Sequence, residues 1–143
     1  MRQADEIWFA SAWDYWQAHL IKKSFTNATN FARIPIKVFG KKDFGRVDIK
    51  SLLSKSNIER RLSKGLVSAL TIKTNELLKE SLPADVFIDV QDYLCGSKVE
   101  FCSLFDDEGN LISYDGSHLT YYGAKLLGSK LVNSSLNKYF AEK

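Results

Sequence analysis

The sequence predicts an α/β domain of the flavodoxin-like, three-layer α/β/α kind, built on a parallel sheet. Three observations carry this. Short apolar runs rich in β-branched and aromatic residues stand at 7–10, 34–40 and 85–90 and have the length of buried strands. Each is followed by a longer stretch of helical character, and strand alternating with helix is the pattern of a parallel sheet with crossover helices. The composition, 45% hydrophobic and 26% charged, is that of a chain able to bury a core.

The elements follow in order. Ile7 to Ala10 forms the first strand, and a helix is expected from about Asp14 to Ala32, with Tyr15, Leu20 and Phe31 among its core candidates. "IPIKVFG" is the second strand, with Pro35 and Gly40 at its two ends, where they interrupt the ladder least. After the polar loop "GKKDFGRVD", Ile58, Leu62, Leu66 and Ala69 recur at spacings of four, four and three. This spacing predicts one long helix from Ser56 to Glu80, closed by Pro83. "DVFIDV" is the third strand. A polar region with both cysteines, a turn at "DDEGN" and a last helix from about Thr120 to Phe140 complete the chain. Doubly wound sheets usually have about five strands, so the pattern predicts a single domain over residues 1–143 that lacks its first strand or strands. The edge so exposed would invite pairing with a second copy.

The charge balance excludes some functions. The net charge is +3, and lysines and arginines are spread along the chain with no dense run beyond Lys22-Lys23, Lys41-Lys42 and Arg60-Arg61, so nucleic acid is not an expected partner. No apolar stretch reaches the roughly 18 residues of a membrane span. The N-terminus has no basic segment leading into an apolar one, hence no signal peptide. Read alone, that implies cytoplasm if the chain is complete. Cys95 and Cys102 have no histidine at ligand spacing, so no metal site is expected; buried thiols and a local disulfide are the alternatives. Of the aromatic residues near the start, Trp8 and Trp16 are expected in the core, and Trp13 is the candidate to stack on a sugar ring.

The chemistry-bearing stretch is "YDGSHLTYYGAKLL", residues 114–127. His118, one of two histidines, precedes Thr120, a residue suited to cap a helix N-terminus. Asp115, three residues earlier, is placed to accept from the imidazole and fix its tautomer, the part the acid plays in a Ser-His-Asp site. Gly116 and Gly123 allow a sharp turn and close packing. An Asp-x-x-His spacing also arises in ordinary surface loops, where the histidine merely caps or packs.

The wider block resembles the last motif of the SGNH (GDSL-like) hydrolases, where Asp-x-x-His is followed by Leu, a Ser/Thr step and Gly-Ala opening the final helix. The stretch from "VFIDVQDYLC" to "GSKLV" resembles a narrower branch, the SGNH domains linked to bacterial membrane acyltransferases that O-acetylate surface polysaccharides. The resemblance implies that His118 is a general base and Asp115 its orienting acid, with no metal or organic cofactor. It implies an acylated carbohydrate or acyl donor as substrate, and a membrane acyltransferase domain or a missing upstream segment as partner. A periplasmic or other extracytoplasmic location is implied too, and with it a Cys95–Cys102 disulfide. The chain departs from the family in having no Gly-Asp-Ser and no Gly-x-Asn-Asp. Ser11 is a weak candidate for an oxyanion donor or a substitute nucleophile, Ser103 for the latter, and "SAWDYW" with Trp13 stands where the branch carries a degenerate block. A non-catalytic carbohydrate-binding or assembly module on the same scaffold is the alternative.

Overall fold

The computed structural model describes residues 5–31, 34–96 and 100–133. The elements run β1 (Ile7–Ala10), α1 (Tyr15–Phe31), β2 (Ile36–Phe39), α2 (Ile49–Leu53), α3 (Asn57–Arg61), β3 (Lys64–Leu66), α4 (Ala69–Ser81), β4 (Phe87–Ile88), α5 (Val90–Cys95), β5 (Phe101–Ser103) and α6 (Tyr121–Val132). The expected ends of the first and last helices, Ala32 and Phe140, lie outside the described residues. The chain divides into two compact units, one of Met1–Lys42 with Ala69–Val90, the other of Asp43–Ser68 with Gln91–Lys143.

The first unit holds the parallel sheet that the sequence predicts, in the order β1-β2-β4. Ile7 pairs with Ile36 and Ala10 with Phe39 on one side of β2, and Val38 pairs with Phe87 on the other. As the central strand, β2 is buried on both faces, so Ile36 and Val38 are apolar and even Lys37 is covered, its ammonium donating to the Asp85 carbonyl. Helices α1 and α4 pack together, and Ala18, Ile21, Val38, Leu78, Leu82 and Val86 form the core. Beyond the end of β2, the buried amide of Asn75 accepts from Lys41 N at 2.8 Å and donates to Lys41 O at 2.7 Å, which fixes where the chain leaves the sheet.

Several expected core residues are exposed. Tyr15, Leu20 and Phe31 face outward, Phe31 almost completely, and so do Trp8 and Trp16. The inward row of α1 is Ala18, Ile21 and Phe25, and Leu20 and Phe31 lie roughly 200° and 220° round the helix from Ala18. Trp8 sends its indole N–H to the Glu6 carboxylate.

The expected helix over 56–80 is also corrected. It breaks into α3, β3 and α4, and Ile58, Leu62, Leu66 and Ala69 are all exposed. The cause is Gly65. A Cβ there would stand 1.7 Å from the carbonyl oxygen of Phe44, so the backbone passes where no helix with side chains could fit.

The second unit is built round that strand. β3 and β5 pair antiparallel, Gly65 opposite Cys102 and Leu66 opposite Phe101. Asp48 caps α2 by accepting from Ser51 N at 3.1 Å. Ser56 and Glu59 close a reciprocal capping box on α3, and Arg60 clamps α3 to the end of α2 by donating to the carbonyls of Leu52 and Leu53.

Candidate active site

The dyad loop is assembled from backbone upward, wholly within the second unit. Residues 111–119 fold back on themselves through antiparallel bridges, Phe105 with Leu111 and Ser113 with Leu119. Ile112 N donates to Leu104 O and Thr120 N to Ile112 O, both at 2.9 Å. Thr120 is the N-cap of α6, as expected. Its hydroxyl accepts from Gly123 N at 3.1 Å and donates to the carbonyl of Leu111. Gly123 is needed at that point because a Cβ would come within 2.1 Å of Ile112 O.

Gly116 sits at φ +91°, and a Cβ on it would meet Gly45 O at 2.0 Å. Gly116 O in turn accepts from Phe44 N at 2.9 Å. Ser113, fully buried, donates to His118 O at 2.7 Å and accepts from Gly116 N at 3.0 Å.

On this turn the structure brings Asp115 and His118 together. Asp115 Oδ1 accepts from Ser117 N at 2.8 Å and from His118 N at 2.7 Å, and Oδ2 lies 2.7 Å from His118 Nδ1. The backbone N–H of His118, then its ring, then the N–H of Ser117 hold the Asp115 carboxyl down at about 2, so it is ionised and accepts only. An acceptor facing Nδ1 places the ring proton there and leaves the lone pair on Nε2, at the opposite edge of the imidazole. The ring stacks on Tyr114, centroids 5.8 Å apart and planes 13° apart. With a side chain 69% exposed, His118 is open to a group arriving from outside. The arrangement can take a proton at Nε2, with the resulting cation stabilised by Asp115.

Other candidates lie elsewhere. Ser11, exposed, and Trp13 belong to the first unit. Trp13 is half-buried against the core, its indole N–H donating to Phe39 O at 2.7 Å. It lines a cavity of ≈ 330 Å³ together with Phe9, Gln17, Leu20, Ile21 and Ser24. Ser103 stands on β5 opposite Lys64. Cys95 and Cys102 form a disulfide, Cα atoms 4.9 Å apart. Among the described residues no group of three or more His, Cys, Asp or Glu could hold a metal ion.

Sequence reasoning missed three polar residues that brace the loop. Ser113 is one. The others are Gln91, whose buried amide accepts from Asp43 N and donates to Asp43 O and to Cys95 Sγ, and Asp43, whose carboxylate accepts from Gly45 N and Ser68 N. Cys95, Gln91, Asp43, Gly45 and Gly116 therefore form a continuous line from the disulfide to the dyad turn.

The α/β fold with its parallel sheet is consistent with an SGNH-type domain. The family model described as "SGNH domain (fused to AT3 domains)" matches residues 31–133, and the chain belongs to that family. The matched region contains Asp115, His118 and both cysteines, and begins after Ser11 and Trp13. No curated protein and no solved structure matches the chain. Among the described residues, no helix is long and apolar enough to cross a membrane.

Proposed function

We propose that this chain supplies the acid and base of an SGNH-type acyl esterase or O-acyltransferase. His118 is the general base and Asp115 the residue that orients it. The observation that carries this reading is the 2.7 Å bond from Nδ1 to a carboxylate that two backbone N–H groups already hold in place. A serine attacks the acyl carbonyl, Nε2 of His118 takes the serine proton and returns it to the leaving oxygen, and backbone amides hold the oxyanion. These 143 residues contain no Gly-Asp-Ser, so the serine comes from a segment outside them. The substrate class is an acetylated or acetyl-accepting cell-surface polysaccharide, the partner is a membrane acyltransferase domain, and the site faces the extracytoplasmic side.

Hydrolysis of p-nitrophenyl acetate tests this. The chain alone should be nearly silent, and adding an SGNH segment that carries Gly-Asp-Ser should raise activity that His118→Ala abolishes. Activity of the chain alone, lost in His118→Ala, would place the nucleophile within these residues. Silence in both arms would favour the second reading, a non-catalytic carbohydrate-binding or assembly module, which the missing Gly-Asp-Ser motivates.

A further inference from the structure

One locally basic stretch of this protein also exposes aliphatic side chains. Residues 49–66 carry Lys50, Lys55, Arg60, Arg61 and Lys64 against the single acid Glu59, a net +4 in a chain whose total is +3. That one acid is engaged locally, its carboxylate accepting from Ser56 N and Ser56 Oγ in the capping box.

The same stretch presents aliphatic side chains to the outside. From Leu62 to Val67 exposure alternates strictly, with Ser63, Gly65 and Val67 buried and Leu62, Lys64 and Leu66 exposed. Lys64 and Leu66, two apart on β3, share one face, and Leu62 is exposed at the end of α3 just before that strand. Phe101 stands opposite Leu66 on β5, also exposed. Ile58 precedes Leu62 by four residues, its carbonyl accepting from Leu62 N, and both are 74% exposed. An apolar strip rimmed by bases is a feature that isolated surface leucines do not make.

We infer that Ile58, Leu62, Leu66 and Phe101, with Lys64, Arg61 and their basic neighbours, form a docking face for an anionic lipid surface. Aliphatic side chains enter the boundary between headgroups and acyl chains, and the lysines and arginines meet the phosphates above it. Charge complementarity selects this occupant. A protein partner would bury the aliphatic strip without needing Lys50, Arg61 and Lys64 beside it, and a nucleic acid would need the bases and aromatic faces but not three aliphatic side chains. The inference does not rest on the catalytic reading, since the face includes neither Asp115 nor His118.

The test is co-sedimentation of the chain with vesicles of phosphatidylcholine alone and of phosphatidylcholine with phosphatidylglycerol, at low and high salt. Binding is expected to the anionic vesicles only and to weaken with salt. Each basic residue near such a surface strengthens partitioning roughly fivefold, so Arg61→Glu/Lys64→Glu should lower it at least that far. Ile58→Ser/Leu62→Ser should lower it about tenfold. Both pairs lie on the surface, and an unchanged circular dichroism spectrum verifies folding. Lys22→Glu/Lys23→Glu in α1 removes the same charge from the other unit and should leave binding unchanged. Equal binding to both vesicle types, or an equal loss in the α1 variant, would overturn the assignment. So would absence of vesicle binding, with or without self-association that Ile58→Ser/Leu62→Ser removes; the latter would make the face a protein interface.

Discussion

The buried hydroxyl of Ser113 donates a 2.7 Å hydrogen bond to the carbonyl oxygen of His118 and accepts from Gly116 N. One small side chain thereby joins the two ends of the turn that carries the dyad. The backbone of His118 is held from beneath by Ser113 at its carbonyl and by Asp115 at its N–H, and Asp115 also orients the ring. Replacing Ser113 by Ala leaves a buried Gly116 N–H and a carbonyl without this partner. The expected cost is about 1–3 kcal/mol of stability, measured by urea denaturation.

Gly116→Ala should be more damaging than Ser113→Ala. It combines a left-handed φ of +91° with a 2.0 Å approach to the Gly45 carbonyl, a backbone atom that cannot swing aside. The expected loss is about 2–4 kcal/mol. A urea midpoint equal to that of the parent chain would contradict the turn described above.

The Asp115 carboxyl titrates at about 2 in the folded chain, below its ordinary value. A depressed carboxyl contributes stability that is fully present above the unfolded pKa of about 3.9 and is lost as pH falls towards and through about 2. A carbon-detected NMR titration should find its midpoint near 2, and Asp115→Asn should flatten the acid limb of the stability profile over that window.

In the enzyme reconstituted with a serine-bearing segment, Asp115→Asn should also lower ester hydrolysis by on the order of 10⁴, because an amide facing Nδ1 selects the wrong tautomer. The parent chain and the variant should have the same circular dichroism spectrum. Activity within a factor of a few of the parent would exclude the orienting role.

Reduction of Cys95–Cys102 opens a short loop and should cost about 2–3 kcal/mol, read as a lower urea midpoint in dithiothreitol. Cys102 is buried, so Cys102→Ser should lower stability further than Cys95→Ser.

Strand β1 is one of the two outer strands of the described three-stranded sheet. Light scattering should show self-association rising with concentration, and Trp8→Lys, which adds a charge to that strand, should reduce it. A monomer at every concentration would remove the sheet-edge dimer from consideration.

The legible parts of the fold were those where a local pattern and the tertiary environment agree. The central strand β2 is buried on both faces and the runs of β1 and β4 beside it are apolar, so all three stood out, and Thr120, Gly123 and the Asp-x-x-His spacing announced the last helix and the dyad. The misread helix and the missed polar braces share one cause. Ile58, Leu62 and Leu66 have helical spacing, but they lie outside the core, and what decides the chain path there is the backbone of Phe44 pressing on Gly65. That approach joins residues far apart in sequence and has no local signature. Ser113, Asp43 and Gln91 were missed for the same reason, since a buried polar residue and a surface one look alike until their partners are known.

Asp115 has two duties on one carboxylate, with Oδ1 closing the turn through two backbone N–H groups and Oδ2 addressing the imidazole. Natural selection for folding alone would therefore keep the aspartate in a lineage that had given up chemistry. The histidine has no such insurance: its ring is exposed, and its structural service is rendered by its backbone. If His118 serves as the proposed general base, position 118 should drift in descendants freed from that task while position 115 stays fixed, and the histidine, not the aspartate, would mark the chains that keep the site in use.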